Sequence, residues 1–335
     1  MGQVTIHDVA RTAGVSPATV SRVLNAPDTV TADLRERVQA SMRELDYRPN
    51  NQARNLRRRA TTVIGLIISD ITNPFFTSMV RGVEDAASAA GYSVVLANAD
   101  EDLAKEQRYL EVAAAERMAG VLLSPASSTA TRIDVLTERG IPIVTIDRRL
   151  KSADLDSVMV NNHRAAKEAT LHLAAQGCRR IAFVAGRLAT TTGASRLAGY
   201  RAGLKAAGLP ADRDLVTNGA FRLDGGRKAT QELLNLPERP DGLFVSNNLM
   251  TIGAINALDE AGVRFPDDLC LVGFDDMMPA LSLRSAITAV SQPTYEIGRQ
   301  ATQLLLRRVA GGDFPRERVV LTAELTIRES SIRPS

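Results

Sequence analysis

At 335 residues, with 44% hydrophobic and 24% charged residues, the chain has the composition of a globular protein of about two or three domains. That is enough apolar material for large cores without a disulfide or metal staple. Its two cysteines, Cys178 and Cys270, lie far apart in the chain with no CxxC or Cys/His spacing, so buried thiols are expected, and no cofactor and no metal.

The net charge of +3 is unevenly placed. Residues 1–60 hold ten Arg, no Lys and six acids, so +4, and the remainder sums to −1. A basic terminus is the footprint of a polyanion-binding module, although a solvated basic tail would carry the same charge. The longest apolar runs, such as Val63–Ile68, are strand-length and too short to span a membrane. The start, Met1-Gly2-Gln3-Val4-Thr5, has no signal-peptide pattern, so a cytoplasmic, nucleoid-associated location with no membrane partner is expected.

In chain order, Thr5-Ile6-His7-Asp8 reads as a helix N-cap with an acid three residues on, turning Ile6, Val9 and Ala10 inward. Gly14 breaks that helix at a turn where positive φ is easily supplied. Ser16-Pro17 restarts it, with Ser as N-cap and Pro in the first helical position. The second helix, Pro17 to Leu24, buries Val20, Val23 and Leu24 and leaves Ala18, Thr19, Ser21 and Arg22 outside. A third, Ala32 to Leu45, capped by Thr31, supplies Val38, Met42 and Leu45 to the same core. Two short helices joined by a Gly-containing turn make a helix-turn-helix. The small, polar and cationic outer face of its second helix suits entry into a major groove.

The run Val4 to Asn25 (VTIHDVARTAGVSPATVSRVLN) resembles the DNA-binding headpiece of the LacI/GalR family of transcription regulators. The resemblance implies that Pro17, Ala18 and Arg22 face base edges, and that Thr5, Ser16, Thr19, Ser21 and Asn25 lie near phosphates or hold the turn. Independently, the planar fork of Arg22 can bridge two acceptors on a guanine edge. For Thr19 and Ser21, ordinary helix-surface polarity remains the alternative.

The following stretch, Tyr47 to Arg59, has Pro49 as a stop and could form one or two helical turns around Ala53-Arg54-Asn55-Leu56. It resembles the hinge helix of the same family, which folds on the operator. On that resemblance Asn50, Ala53, Arg54, Leu56 and Arg57 contact DNA, with Leu56 wedged into the central minor groove. An apolar wedge flanked by arginines is what kinking a duplex requires; simple packing of Leu56 against a core is the alternative.

From Thr62 onward, short apolar runs alternate with helical patterns. Strands are predicted at Val63–Ile68, Ser93–Ala97, Gly120–Leu123, Ile143–Ile146, Ile181–Val184, Leu243–Val245 and Leu269–Val272. Helices are predicted between them, for example at Phe76–Ala90, Asn162–Ala175, Arg196–Ala207 and Met250–Ala261. This alternation means parallel sheets covered on both faces, with ligands held beyond the carboxyl ends of the strands. The polar loops there contain Asp70, Asn73, Phe75, Asp147, Arg148, Arg149, Thr192, Arg196, Phe221, Asn247, Asn248, Asp275 and Asp276. Carboxylate, guanidinium and amide groups beside Phe rings suit a polyhydroxylated ring. Taken singly, each Asp or Asn is more readily a cap or turn residue, Asp70 and Asn73 in particular.

This region resembles the effector-binding core of the same family and the periplasmic sugar-binding fold. The expected architecture is therefore an all-α helix-turn-helix headpiece plus an α/β core of two doubly wound parallel-sheet subdomains. The expected boundaries are 1–49 for the headpiece, 50–61 for the hinge and 62–335 for the core. Within the core, 62–160 with 291–321 would form one subdomain, and 161–290 with 322–335 the other. By position Arg196, Asn247 and Asp275 match the family's main effector contacts, with Asn73, Phe75, Asp147, Arg148, Thr192 and Phe221 around them. Two departures stand out: Asn248 replaces the more usual Asp, and Thr190 stands where the purine-responsive branch has Arg. Arg148 and Arg149 could recognise an anionic group on the effector or form a surface ion pair.

Three function classes are open to such a chain. A ligand-controlled repressor uses headpiece, hinge and cleft together. A transport solute-binding protein has no use for residues 1–60. An enzyme is not expected, since GxSxG, P-loop, HExxH and strand-associated GxGxxG patterns are all missing. The expectation is a homodimer on a palindromic double-stranded DNA operator, released by a small-molecule effector, a sugar or sugar derivative. A nucleoside or purine effector, or a corepressor, is the alternative. The tail Arg328–Ser335 has no leucine heptads, which favours a dimer over a tetramer.

Overall fold

Three short helices open the chain: α1 (Ile6–Ala13), α2 (Pro17–Asn25) and α3 (Ala32–Glu44). The computed structural model describes residues 4–25, 30–45, 47, 61–276, 286–312 and 314–333. The chain divides into two compact units, Met1–Thr61 and Thr62–Ser335.

In the first unit, Val9, Ala10, Ala13, Val20, Val23 and Val38 form a small core, with Ile6, Met42 and Leu45 packed against it. Gly14 ends α1 at φ +62° and donates its N–H to the carbonyls of Ala10 and Arg11. Arg37 of α3 donates to the Ala13 carbonyl at 2.8 Å, tying the third helix to that turn. Thr31 is the N-cap of α3 by position, but its side chain makes no capping hydrogen bond. The expected inward position of the Leu24 side chain lies outside the described residues, as does the hinge at 50–60.

The second unit holds two six-stranded sheets. The first contains β1 (Val63–Ile68), β2 (Ser93–Asn98), β3 (Gly120–Leu123), β4 (Ile143–Ile146), β5 (Asp156–Val160) and β11 (Arg318–Leu321), in the order β11-β5-β4-β3-β1-β2. All its pairings are parallel. The second contains β6 (Ile181–Ala185), β7 (Val216–Asn218), β8 (Gly242–Val245), β9 (Cys270–Phe274), β10 (Thr288–Ser291) and β12 (Glu324–Thr326), in the order β12-β10-β9-β8-β6-β7. Here the edge strand β12 runs antiparallel to β10, a departure from the expected all-parallel sheets. Strands β5, β7, β10, β11 and β12 were not among the predicted ones; they are short, and β7, β11 and β12 lie at sheet edges with exposed or half-buried side chains. By contrast β3, β4 and β8 are buried throughout and read as unbroken apolar runs.

Helices cover both faces of each sheet: α4 (Pro74–Ala89), α5 (Leu103–Ala115), α6 (Asp134–Thr137), α7 (Asn162–Ala175), α8 (Thr191–Ala206), α9 (Leu223–Leu234), α10 (Asn248–Glu260) and α11 (Thr294–Val309). In both sheets the strand order reverses beside the first strand, at β1/β3 and at β6/β8, which is where an open α/β sheet forms a crevice. The chain passes between the lobes after β5, after β10 and after β11. Glycines allow the tightest helix contacts. A Cβ on Gly82 of α4 would lie 2.1 Å from the Tyr295 carbonyl oxygen, and one on Gly298 of α11 would lie 2.1 Å from that of Met79.

Cys178 and Cys270, distant in sequence, are both buried and flank Gly242, Cys270 as its strand partner and Cys178 against its Cα. The Cys178 thiol donates to the Asp241 carbonyl at 3.3 Å. Among the described residues no helix is long and apolar enough to cross a membrane.

Candidate functional site

Two sites emerge, one in each unit. In the headpiece, Ser16 caps α2: its Oγ accepts from the Thr19 N–H at 3.1 Å and lies 2.9 Å from the Thr19 hydroxyl. At α1 the Thr5 N–H and hydroxyl both donate to the Asp8 carboxylate, at 3.0 and 2.7 Å. These bonds hold the Asp8 carboxyl below the usual carboxylate range. Thr5, Ser16 and Thr19 therefore have local bonding duties whatever else they contact. With Val20 and Val23 buried, α2 turns the other face outward, where Ala18 and Arg22 are exposed and Pro17 and Ser21 half-buried. Asn25 is the last residue of α2, and its side chain lies outside the described residues. So do Asn50, Ala53, Arg54, Leu56 and Arg57.

In the second unit a narrow polar cavity lies between the lobes at the carboxyl ends of the strands. All nine expected cleft residues line it. Asn73 and Phe75 come from the start of α4, Asp147 and Arg148 follow β4, and Thr192 and Arg196 lie on α8. Phe221 follows β7, Asn247 precedes α10 and Asp275 follows β9.

Several of these residues are committed locally. Asn73 caps α4 by accepting from the Phe75 N–H at 2.9 Å, and Asn247 caps α10 by accepting from the Met250 N–H at 2.9 Å. Arg196 is held by the Asn162 side chain and the Ser246 carbonyl, both at 2.7 Å, with its guanidinium 3.6 Å above the Phe274 ring. It lies 4.0 Å from the Asp275 carboxylate. Arg148 is not the surface ion pair weighed from sequence. It is buried and grips Glu101 with both terminal nitrogens, at 2.5 and 2.8 Å, which leaves little of it for an anionic effector. The Arg149 N–H donates to Thr191 at 3.1 Å, and Asp276 pairs with Arg328 at 2.6 Å instead of lining the cavity. Thr190 caps α8, accepting from the Gly193 N–H at 3.2 Å.

Asp70 and Phe76, from the segment after β1, line it as well, and so do two residues outside the loops named from sequence, Glu101 and Gln292. Asp70 has the expected turn chemistry, with one oxygen taken by the Thr72 N–H and hydroxyl at 2.9 and 2.6 Å. Its other oxygen faces the second lobe. Gln292 lies on a lobe crossover and donates to Asp275, while its own Oε1 is buried without a hydrogen-bond partner among the described residues. No local pattern announces Glu101 or Gln292, since their partners, Arg148 and Asp275, sit 47 and 17 residues away.

Four of the lining residues, Glu101, Asp147, Phe221 and Asp275, adopt positive φ without being glycine, at +59°, +61°, +63° and +70°. Such backbone strain clusters at ligand clamps and switch regions and persists only where the surroundings over-determine it. The Phe221 ring lies against the backbone of Gly186, where any Cβ would collide at 1.9 Å.

The cavity carries four carboxylates, Asp70, Glu101, Asp147 and Asp275, against the guanidiniums of Arg148 and Arg196. Burial pushes the Asp147 carboxyl up to about 6, with Asp275 and Glu101 adding repulsion against the pull of Arg148 and Arg196. Burial raises Asp275 too, against Arg196 and Gln292, and the same desolvation lowers Arg196. The result is an acceptor-rich pocket with Phe75, Phe76 and Phe221 rings beside it.

A helix-turn-helix joined to a two-lobed, doubly wound core with its polar cavity at the switch points defines a DNA-binding transcription regulator with a periplasmic-binding-protein-like domain. Family models agree: residues 5–50 match bacterial regulatory proteins of the lacI family, and residues 170–331 match the periplasmic binding protein-like domain. The chain belongs to the LacI family. It is 36% identical to the ribose operon repressor of Halalkalibacterium halodurans, over 98% of this chain and 97% of that protein. Among solved structures it resembles the transcriptional regulator CelR–cellobiose complex, with TM-score 0.75 and 34% identity over 98% of this chain and 100% of that one. It also resembles the Lac repressor dimer bound to operator and an anti-inducer, with TM-score 0.87 and 26% identity over 99% and 100%.

Proposed function

We propose that this regulator is a cytoplasmic homodimeric repressor of carbohydrate-utilisation genes, released from a palindromic operator by a neutral sugar. Residues 1–49 read the operator, with Pro17, Ala18 and Arg22 on base edges and Thr5, Ser16, Thr19, Ser21 and Asn25 at the backbone. Residues 50–61 form the hinge, in which Asn50, Ala53, Arg54 and Arg57 hold the minor groove around a Leu56 wedge. The core, 62–335, comprises the subdomains 62–160 with 291–321 and 161–290 with 322–335, and it takes the effector.

The observation that carries the sugar reading is the charge balance of the cavity. Each guanidinium already has a carboxylate near it, and carboxylates outnumber guanidiniums by four to two. A sugar acid or phosphate would meet repulsion, whereas hydroxyls of a neutral sugar can donate to Asp147, Asp275 and Gln292 and lay a ring face on Phe221 or Phe75. The ribose operon repressor and the CelR–cellobiose complex among its relatives support this choice of ligand class. Effector binding shifts the regulator only to the extent that the two lobe arrangements bind it differently.

The test is thermal stabilisation of the full chain against D-ribose, D-cellobiose, D-gluconate and adenosine, followed by operator release in fluorescence anisotropy. A ligand at 100 times its Kd adds about 2.7 kcal/mol of stability. A neutral sugar should raise Tm by several degrees and release operator DNA; stabilisation by gluconate or adenosine alone would overturn the sugar assignment.

A further inference from the structure

One arginine beside the cleft is aimed across it and not into it. Arg222 follows Phe221 on the second lobe and reaches the first lobe. Its Nη2 donates to the Asp100 Oδ1 at 2.9 Å and to the Asp100 carbonyl at 2.8 Å, and its Nη1 reaches the Asp70 Oδ2 at 3.3 Å. We propose that Arg222 is the latch of the effector cleft, tying the lobes together at its mouth and governing how readily a sugar enters and leaves. This deepens the proposed function, since it concerns the regulation of that same cleft.

Four observations carry the assignment. First, both sides of the contact are strained. Ala220 and Phe221 lead into Arg222 at φ +53° and +63°, and Asp100 and Glu101 present the acceptors at +57° and +59°. Second, the arginine's mounting is rigid: the Gly219 carbonyl accepts from its N–H at 3.0 Å, and Gly219 packs so closely on α9 and α10 that a Cβ there would meet Met250 at 2.6 Å. Third, the turn that receives it takes a second cation from the same opposite lobe, Arg187, 3.8 Å from Glu101. Fourth, the partners differ in burial. Asp70 lines the cavity and is 6% exposed at its side chain, while Asp100 is 47% exposed. The latch therefore joins the cavity wall to the surface, and solvent can compete for its outer half. The lobes also touch away from Arg222, where Ala189 accepts from the N–H and hydroxyl of Ser128 at 2.9 and 2.8 Å. Release of Arg222 would leave that seam in place.

The experiment uses the full chain with spin labels at Glu111→Cys on the first lobe and Glu232→Cys on the second, diluted with unlabelled chains so that only the intrachain distance is read. Both positions are exposed. Arg222→Glu and Asp100→Arg should each lengthen or broaden the lobe–lobe distance, and the double exchange should narrow it again. In parallel, release of radiolabelled D-ribose should be roughly fivefold faster in each single variant, in line with the strength of one partly exposed ion pair, and restored in the exchange. An unchanged distance distribution in Arg222→Glu, or single and double variants that behave alike, overturns the latch. Failure of wild type to bind D-ribose or any other neutral sugar overturns the effector reading instead, and the distance measurement, which needs no ligand, still decides the latch.

Discussion

Burial keeps a proton on Asp147 up to about pH 6, whereas an ordinary aspartate ionises near 3.8, and the difference has a measurable sign. Below pH 3.8 both folded and unfolded chains hold the proton. As pH rises from there, the unfolded chain releases it first, so the folded state loses relative stability until the folded carboxyl also ionises. Thermal melts should therefore show wild type losing ground to Asp147→Asn between about pH 4 and pH 6; parallel profiles would mean that Asp147 ionises like an exposed acid. At the other end of the chain, Arg22 is exposed on the outer face of α2 with no structural duty in the core. Arg22→Ala should leave folding intact and cost about 1–3 kcal/mol of discrimination at one base position, measured by competition among operator variants. A uniform loss across all sequences would instead mark it as a phosphate contact.

At the scale of elements, the pairing of α4 with α11 rests on two glycines that let the backbones touch. Ala is the better helix former by about 1 kcal/mol, which would favour Gly298→Ala if the helix stood alone. Here the new methyl would sit 2.1 Å from the Met79 carbonyl oxygen, and backbone cannot step aside as a side chain can. We expect a net loss of about 1–3 kcal/mol in denaturant melts; neutrality would mean the helices can separate freely. The headpiece elements were legible because their signals are local: Ser16 caps the helix that Pro17 begins, and Gly14 supplies the turn at positive φ. The central strands were legible for a different reason, burial on both faces. Strands β7, β11 and β12 were not, because each is only three or four residues long and half-buried or exposed, too short for a run or an alternation to show.

For the whole molecule, the proposed coupling requires that effector response and operator binding be separable. Asp275 faces Arg196 across the cavity and sits at φ +70°, a conformation asparagine tolerates. Asp275→Asn should abolish release by sugar while keeping operator affinity within a few fold; retained release at wild-type sugar concentration would place the ligand elsewhere. The headpiece, the alternation of strand and helix, and the nine polar and aromatic cleft positions were readable in the chain because each depends on spacing over a few residues or on its place just beyond a strand. Which of those groups are free was decided only in three dimensions. Arg148 reads in sequence as available for an anion, but in the fold Glu101, 47 residues earlier, holds it. Arg222, which no local pattern singles out, meets Asp70 and Asp100, 152 and 122 residues away, only because the fold sets the two lobes against each other. Charge pairing depends on distance through space, and a linear sequence states only distance along the chain.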